Sequence, residues 1–390
     1  MILVECNHSM LYYQKKHIVN ASIQKGKKLK KLIYYISGHG YGHATRSIEV
    51  IKKLIAADPH LFVHIRTDAP GWFFKLNLTK NYEVHRCKID VGAVQRTSFF
   101  VDKQATLQQL ERLLKEQNKL VEREVDFAGQ VKAQLIVADV PFLAFEIAHR
   151  LHVPGIAIAN FSWDWIYDSF VDVLPGFSQP IERIRSAYRK ADLLLRLPMH
   201  GDLDVFPHSK DIPLIARGAV RTKEDVRRAL GIRPTDKHLL ALVAFRAEDL
   251  ANVDLTPLNR SESVRYVTLG LANAPAPCLN ISPDFMYFPD LVNACDVVIS
   301  KPGYSLNSEI IANRTPLLYT PRPDFVECDV LIQGLERFAV AQALDREAFL
   351  AGSWEVPLMA LTSPARVQSW PDVEMGGAAT AAAEILQWAT

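Results

Sequence analysis

Short unbroken apolar runs recur from Leu32 onward, each closing on a glycine-rich or charged turn and each followed by a helical pattern. Leu32–Ser37 (LIYYIS) leads through a glycine turn into His43–Ala57, where Ile48, Ile51, Leu54 and Ile55 repeat at helical spacing. Further strand-like runs stand at Leu61–Ile65, Leu135–Ala138, Gly155–Ala159 and Leu193–Leu197, with helices over 103–131 and Phe142–Leu151. Runs that are continuous rather than alternating belong to strands buried on both faces, so the pattern predicts a parallel α/β sheet covered by helices. Pro198, Gly201, Pro207, Pro213 and Gly218 interrupt it over 198–222. The pattern then restarts with helix Lys223–Leu230 and strands Leu239–Phe245, Val264–Leu269, Asp296–Ser300 and Pro316–Tyr319. Helix Ser305–Ala312 lies between the last two strands, and an alanine-rich helix Gly376–Trp388 closes the chain. The expectation is two Rossmann-like domains, 32–210 and 211–390, facing across a cleft, with the last helix available to pack back on the first domain.

Composition narrows the function classes. With 49% apolar and 23% charged residues the chain is not wholly disordered. A balance of 45 basic and 43 acidic side chains gives no basic excess for a nucleic-acid binder. Cys6, Cys87, Cys278, Cys295 and Cys328 are odd in number and scattered, which predicts neither a disulfide framework nor a zinc knuckle. No apolar run reaches the roughly 18–20 residues of a membrane span. The start lacks the pattern of a secretory signal, so the reading is a cytoplasmic protein. Lysines 15, 16, 25, 27, 28, 30 and 31 make residues 1–31 a basic extension. It is either a solvated tail or an arm for peripheral contact with anionic lipid or an acidic partner.

Four segments at predicted strand ends carry chemistry. Ser37-Gly38-His39-Gly40-Tyr41-Gly42-His43 lets the backbone pass close to a ligand and places two histidines there. The spacing is not the dinucleotide fingerprint and no acidic residue ends Leu61–Ile65, so no nicotinamide cofactor is expected. His43 either caps its helix or takes a proton from a hydroxyl. Asp139 either caps the next helix or orients that imidazole. Ser300-Lys301-Pro302-Gly303 runs into a helix whose free amides and dipole suit a phosphate, with Lys301 adding charge, Ser305 a hydroxyl and Glu309 an acceptor for ribose. Thr320–Asp329 reads as a charged loop in which Asp324, Glu327 and Asp329 either bind sugar hydroxyls or are solvated. The aromatic loop Asn160–Trp165 either stacks on an acceptor or closes the core. Asp202-Leu203-Asp204 imitates a metal motif by chance.

Together these strings resemble glycosyltransferases of the GT-B fold over roughly residues 32–390, a group that includes the peptidoglycan N-acetylglucosaminyltransferase and the plant secondary-product glycosyltransferases. The likeness extends to the glycosyltransferase-like N-terminal region of plant L-arabinokinases. It rests there on Tyr35…Gly38-His39-Gly40…Gly42-His43-Ala44-Thr45-Arg46, on Asp90-Val91-Gly92-Ala93-Val94-Gln95 and on Asn160-Phe161-Ser162-Trp163-Asp164. No kinase domain is expected after Thr390. The resemblance implies a catalytic base at His43 with Asp139 behind it. It implies donor contacts at Lys301, Gly303, Ser305, Glu309 and Glu327, and a diphosphate-binding arginine at Arg217 or Arg221. The cleft loop with His39, Gly40, Gly42, Trp163 and Asp164 falls to the acceptor side, and neither metal nor cofactor is implied. Three departures stand out. Leu306 replaces a hydroxyl residue of the phosphate loop, Cys328 replaces an acid or amide, and Phe245-Arg246-Ala247 replaces a glycine-rich turn in which Arg246 offers a charge instead of backbone donors. The expected activity is inverting transfer from a nucleotide diphosphate-sugar, UDP by family habit, to a hydroxyl acceptor. The alternatives are nucleotide-sugar binding without catalysis, and a sugar-nucleotide epimerase or hydrolase.

Overall fold

The structure, a computed structural model, describes residues 29–389 apart from Asn273 and Pro275. Residues 1–28, and the lipid or partner contact expected of them, lie outside the described residues. Lys30 and Lys31, expected in the basic extension, instead open the first strand.

The first half contributes β1 (Lys30–Ile36), β2 (Leu61–Thr67), β3 (Tyr82–Arg86), a hairpin of β4 (Gln95–Thr97) and β5 (Phe100–Val101), then β6 (Leu135–Asp139), β7 (Gly155–Ala159), β8 (Leu193–Arg196) and β9 (Ser209–Asp211). Seven of them form one sheet in the order β3-β2-β1-β6-β7-β8-β9. Every neighbour is parallel. The second half contributes β10 (Leu239–Val243), β11 (Val264–Leu269), β12 (Leu279–Ile281), β13 (Val297–Ser300), β14 (Leu317–Tyr319) and β15 (Ala341–Ala343), in the order β12-β11-β10-β13-β14-β15, again all parallel. These are the two Rossmann-like domains that the apolar runs predict.

The unbroken run of β1 has its reason in the packing. Leu32, Tyr34 and Ile36 join the core on one face, while Ile33 and Tyr35 join a separate core on the other. Successive side chains of a strand point to opposite faces, so a strand covered on both sides is apolar throughout. The strand order reverses between β1 and β6 in one sheet and between β10 and β13 in the other. A crevice opens at such switch points, beyond the carboxyl ends of the strands.

The structure departs from the sequence reading in places. β10 stops at Val243, so Phe245-Arg246-Ala247 is loop and helix start rather than strand. The charged loop Thr320–Asp329 is shorter than expected, because Glu327 begins the helix Glu327–Phe338. No helix among the described residues is long and apolar enough to cross a membrane.

The closing helix Gly377–Trp388 lies on the helix Gly42–Ala57 of the first domain. Its Ala378, Ala381, Ala382 and Ile385 share one core with Ile48, Ile51, Leu54 and Ile55. The approach is fixed at its start, where Gly377 N donates to Leu214 O and a Cβ on Gly377 would stand 1.9 Å from the carbonyl oxygen of Pro213. That contact is backbone and cannot swing aside. Gly377→Ala is therefore expected to lower the unfolding free energy by roughly 1–3 kcal/mol, the usual cost of overpacking. Gly218→Ala, where a Cβ meets nothing within 4 Å, leaves it unchanged. Chemical denaturation of the two variants beside the parent checks the contrast.

Candidate active site

The loop after β1 brings His43 to the first turn of its helix, and β6 ends at Asp139 on the neighbouring strand. His43 Nδ1 donates to Asp139 Oδ1 over 2.8 Å. Asp139 is fully buried and also receives Arg46 Nη2 on Oδ1 at 2.6 Å, Arg46 Nε on Oδ2 at 2.7 Å and the Ser47 hydroxyl on Oδ2 at 2.9 Å. Burial alone would push this carboxyl up. The Arg46 guanidinium, with His43 beyond it, outweighs burial and holds it down at about 2. The carboxylate fixes the tautomer, because an Nδ1 that carries the proton leaves Nε2 with the lone pair. Arg46 reaches on through Nη1 to Asn160 Oδ1 at 2.6 Å, and Asn160 Nδ2 donates to Glu327 Oε1 of the second domain at 2.8 Å. Its guanidinium also lies 4.9 Å above the ring of Tyr304.

Between the two sheets lies a cavity of about 540 Å³. From the first domain it is lined by His39, Gly40, Gly42, His43 and Trp163, and from the second by Arg246, Lys301, Gly303, Ser305, Leu306, Arg322 and Glu327. Gly40 takes a φ of +77°, a conformation that favours glycine. The ring of His39 covers Gly92 so closely that a Cβ there would stand 2.0 Å from Nδ1, which accounts for the glycine in the Asp90–Gln95 segment. Gln95 Nε2 donates to His39 Nε2 at 3.1 Å. Burial, together with His43, Arg322 and Arg246, pushes His39 down to about 3, so it is neutral at neutral pH. Trp163 Nε1 donates to the buried Asp90 at 3.0 Å and presents its ring to His39.

The second domain supplies positive charge. Lys301, Arg246 and Arg322 meet at one wall, and the only carboxylate within salt-bridge reach of them among the described residues is Asp249, 3.7 Å from Lys301 Nζ and 3.6 Å from Arg246 Nε. Asp249 is itself tied to the first domain, accepting from Ser98 N at 2.7 Å and Ser98 Oγ at 2.6 Å. Arg322 Nε donates to Ser98 O at 2.6 Å. Burial first, and then the neighbouring Arg322 and Arg246, push Lys301 down to about 8 against the pull of Asp249. The helix Tyr304–Asn313 begins beside this wall without a side-chain cap on its first amides. Ser305 Oγ donates to Gly42 O across the cleft at 2.9 Å. The arrangement suits an anion with two or more phosphate charges.

Several expected site residues stand elsewhere. Glu309 is buried outside the cavity and receives Arg217 Nε at 2.6 Å, so the ribose acceptor and one candidate diphosphate arginine neutralise each other. Burial pushes Glu309 up to about 7 although Arg217 opposes it. Arg221 is exposed and donates to the backbone oxygen of Asp225, away from the cavity. Asp164 turns from the acceptor side toward Arg185, 3.3 Å away. Cys328 faces inward and its Sγ accepts from Arg322 N. Asp324 Oδ2 accepts from Val101 N, and Asp329 is exposed. Asp202 accepts from Asp204 N in a local turn. The sequence reading missed Asn160, Ser98, Asp249 and Arg322 as a group. Only the charge of the last two signals them, since their partners are more than 140 positions away.

A wider basic groove of about 1100 Å³, lined by Arg86, Lys88, Arg112 and Lys119 among others, touches only the first domain. The smaller cavity is lined by loops of both sheets.

The sequence profile of glycosyl transferase family 1 matches residues 30–165. The chain is 29% identical over 345 residues to L-arabinokinase of Arabidopsis thaliana, covering 86% of this chain and 32% of that protein. This chain thus spans about a third of the length of that relative. Among solved structures it is similar to MurG of Acinetobacter baumannii, with a TM-score of 0.56, 13% identity and coverage of 92% of this chain and 99% of that one. It is also similar to a UDP-glucosyltransferase from Polygonum tinctorium, with a TM-score of 0.61, 11% identity and coverage of 92% and 98%. Identity this low speaks for the fold, which the strand orders already describe, and the profile adds the sequence likeness of the first domain. The chain has the GT-B fold, and its first domain is similar in sequence to glycosyl transferase family 1.

Proposed function

We propose that the protein transfers a sugar from a nucleoside diphosphate-sugar to a hydroxyl acceptor, with inversion at the anomeric carbon. The observation that carries this reading is that the His43–Asp139 pair and the cations Lys301, Arg246 and Arg322 line or support a single cavity between the two sheets. His43 Nε2 takes the acceptor proton. The acceptor oxygen attacks the anomeric carbon from the side opposite the diphosphate, and the bond to the diphosphate breaks as the new one forms. Lys301, Arg246, Arg322 and the start of helix Tyr304–Asn313 receive the departing charge, and such preplaced charge is usually the largest catalytic contribution. A uridine nucleotide is the first donor to test, given the likeness to a UDP-glucosyltransferase fold. Side-chain cations take the place that a metal would fill, and the reaction is proposed to need none.

A second reading, nucleotide-sugar binding without turnover, has one observation in its favour. Leu306 lines the cavity without a hydroxyl, and the Ser305 hydroxyl is engaged by Gly42 O. It predicts saturable nucleotide binding with no sugar released.

Two experiments test the proposal. His43→Ala is expected to lower turnover of a nucleotide-sugar panel by about 10²–10⁴-fold, the usual contribution of a general base. Equal turnover of parent and variant removes His43 from the mechanism, and no turnover in either leaves the binding reading. The second experiment follows nucleoside diphosphate affinity against pH. Lys301 is charged below its value of about 8 and neutral above it. A bound diphosphate favours the charged form, so affinity falls as pH rises. Binding at pH 9 is expected to be about tenfold weaker than at pH 7.5, as the titration of one such group requires. Lys301→Arg, which does not titrate in this range, removes the slope. Calorimetric titration with UDP checks both, and an unaltered slope in the variant excludes Lys301 from the donor site.

A further inference from the structure

On the outer edge of the first sheet, β2 and β3 run parallel with His64 opposite Glu83 and Arg66 opposite His85. Residues two apart on a strand share a face, so His64, Glu83 and His85 all project to one side. Their ligating atoms form a near-equilateral triangle. His64 Nδ1 lies 3.2 Å from His85 Nε2 and 3.7 Å from Glu83 Oε2, and the last two are 3.4 Å apart. A tetrahedral zinc ion with bonds of about 2.0 Å holds its ligand atoms about 3.3 Å from one another. A point about 2.0 Å from all three atoms exists here, within the bond lengths of zinc to imidazole nitrogen and carboxylate oxygen.

The geometry points to a divalent transition-metal site of zinc class, held by His64 Nδ1, His85 Nε2 and Glu83 Oε2. Two imidazoles and one carboxylate are a donor set that zinc accepts with a fourth position left for water. The gradation of exposure fits that layout. His64 is buried, His85 is half-buried and the Glu83 side chain is 58% exposed, so solvent reaches the fourth position. Phe127 stands against both imidazoles and walls the inner side. Of the two cations that act on these imidazoles, Lys31 and Arg66, the second is neutralised by the buried Glu124, which accepts from its Nε at 2.8 Å. The site is separate from the cavity between the sheets, since none of its residues lines it. It would fasten the edge strand β3 to β2, and it is the one group of three such ligands among the described residues.

The test is calorimetric titration of the chelator-stripped full chain with Zn²⁺, comparing the parent with His85→Ala, Glu83→Gln and the double variant. Both positions are accessible enough to substitute without emptying the core. The parent is expected to bind one Zn²⁺ that each single variant binds at least tenfold more weakly and the double variant loses. Zn²⁺ is also expected to raise the melting temperature of the parent and not that of the double variant. Co²⁺ in its place should give the visible spectrum of nitrogen and oxygen ligation with no thiolate charge-transfer band. Identical isotherms for parent and double variant would put the metal elsewhere, for example at Cys6, His8 or His17, and overturn the assignment. No binding by the parent, or a thiolate band, overturns it as well.

Discussion

A carboxylate with no exposure at all, at the strand position where the sheet order turns, is the constraint from which the rest of the site follows. Asp139 remains charged there only because Arg46 meets both of its oxygens. Removing one partner of such a buried pair typically costs about 3–5 kcal/mol, since the other charge is left uncompensated. Position 46 is therefore bound to position 139, and the helix Gly42–Ala57 is bound in rotation, because Ser47 and His43 satisfy the same carboxylate. The histidine thus inherits its orientation from an ion pair that the chain needs for folding. The same guanidinium passes the constraint through Asn160 to Glu327, so the relation of the two domains and the aim of the imidazole are set by one connected network.

The opposite wall is built on the reverse principle. Three cations gather there with Asp249 in reach of two of them, and burial, with Arg322 and Arg246 beside it, lowers the affinity of Lys301 for a proton. Such a wall is electrostatically unfinished. An anion that enters relieves repulsion already present in the free protein, which is a stronger attraction than a neutralised surface of the same composition offers. The substitution of Arg246 for a glycine-rich turn changes the kind of donor and keeps the sign. A side-chain guanidinium stands there, bonded to the Ser98 hydroxyl and 3.6 Å from Asp249.

What the sequence made legible divides along physical lines. The central strands of both sheets could be read because each buries two faces, and two-sided burial leaves an unbroken apolar run. β9, β12 and β15 were not legible, since three-residue strands at the margins of a sheet bury too little to leave a pattern. The placement of His43 and Asp139 beside each other was legible because periodicity locates the ends of β1 and β6, and with them the loop before His43 and the position of Asp139. Arg217 and Glu309 were found as charges but misplaced. Sequence gives no account of which charges pair, and here the two meet each other over 92 positions. The hairpin tip at Ser98 and Phe99 left no signal of its role either. Its importance lies wholly in what it touches, with Phe99 packing on Phe245 and Phe349 in the other domain.

That hairpin bears on how the two sides of the cleft are held together. Ser98 holds Asp249 through two hydrogen bonds and Ser305 is held by Gly42, so hydroxyls tie the two sides of the cleft beside the apolar contacts of Phe99. A neutral hydrogen bond contributes only about 0.5–1.5 kcal/mol net. Charge-assisted contacts such as those to Asp249 and Arg322 contribute somewhat more, about 1.5–3 kcal/mol each. Under the proposed function a diphosphate competes for these partners: it draws Lys301 and Arg246 from Asp249 and Arg322 from Ser98 O, and it repels the carboxylate. The contacts across the cleft and the binding of the donor, under that function, therefore draw on the same charges.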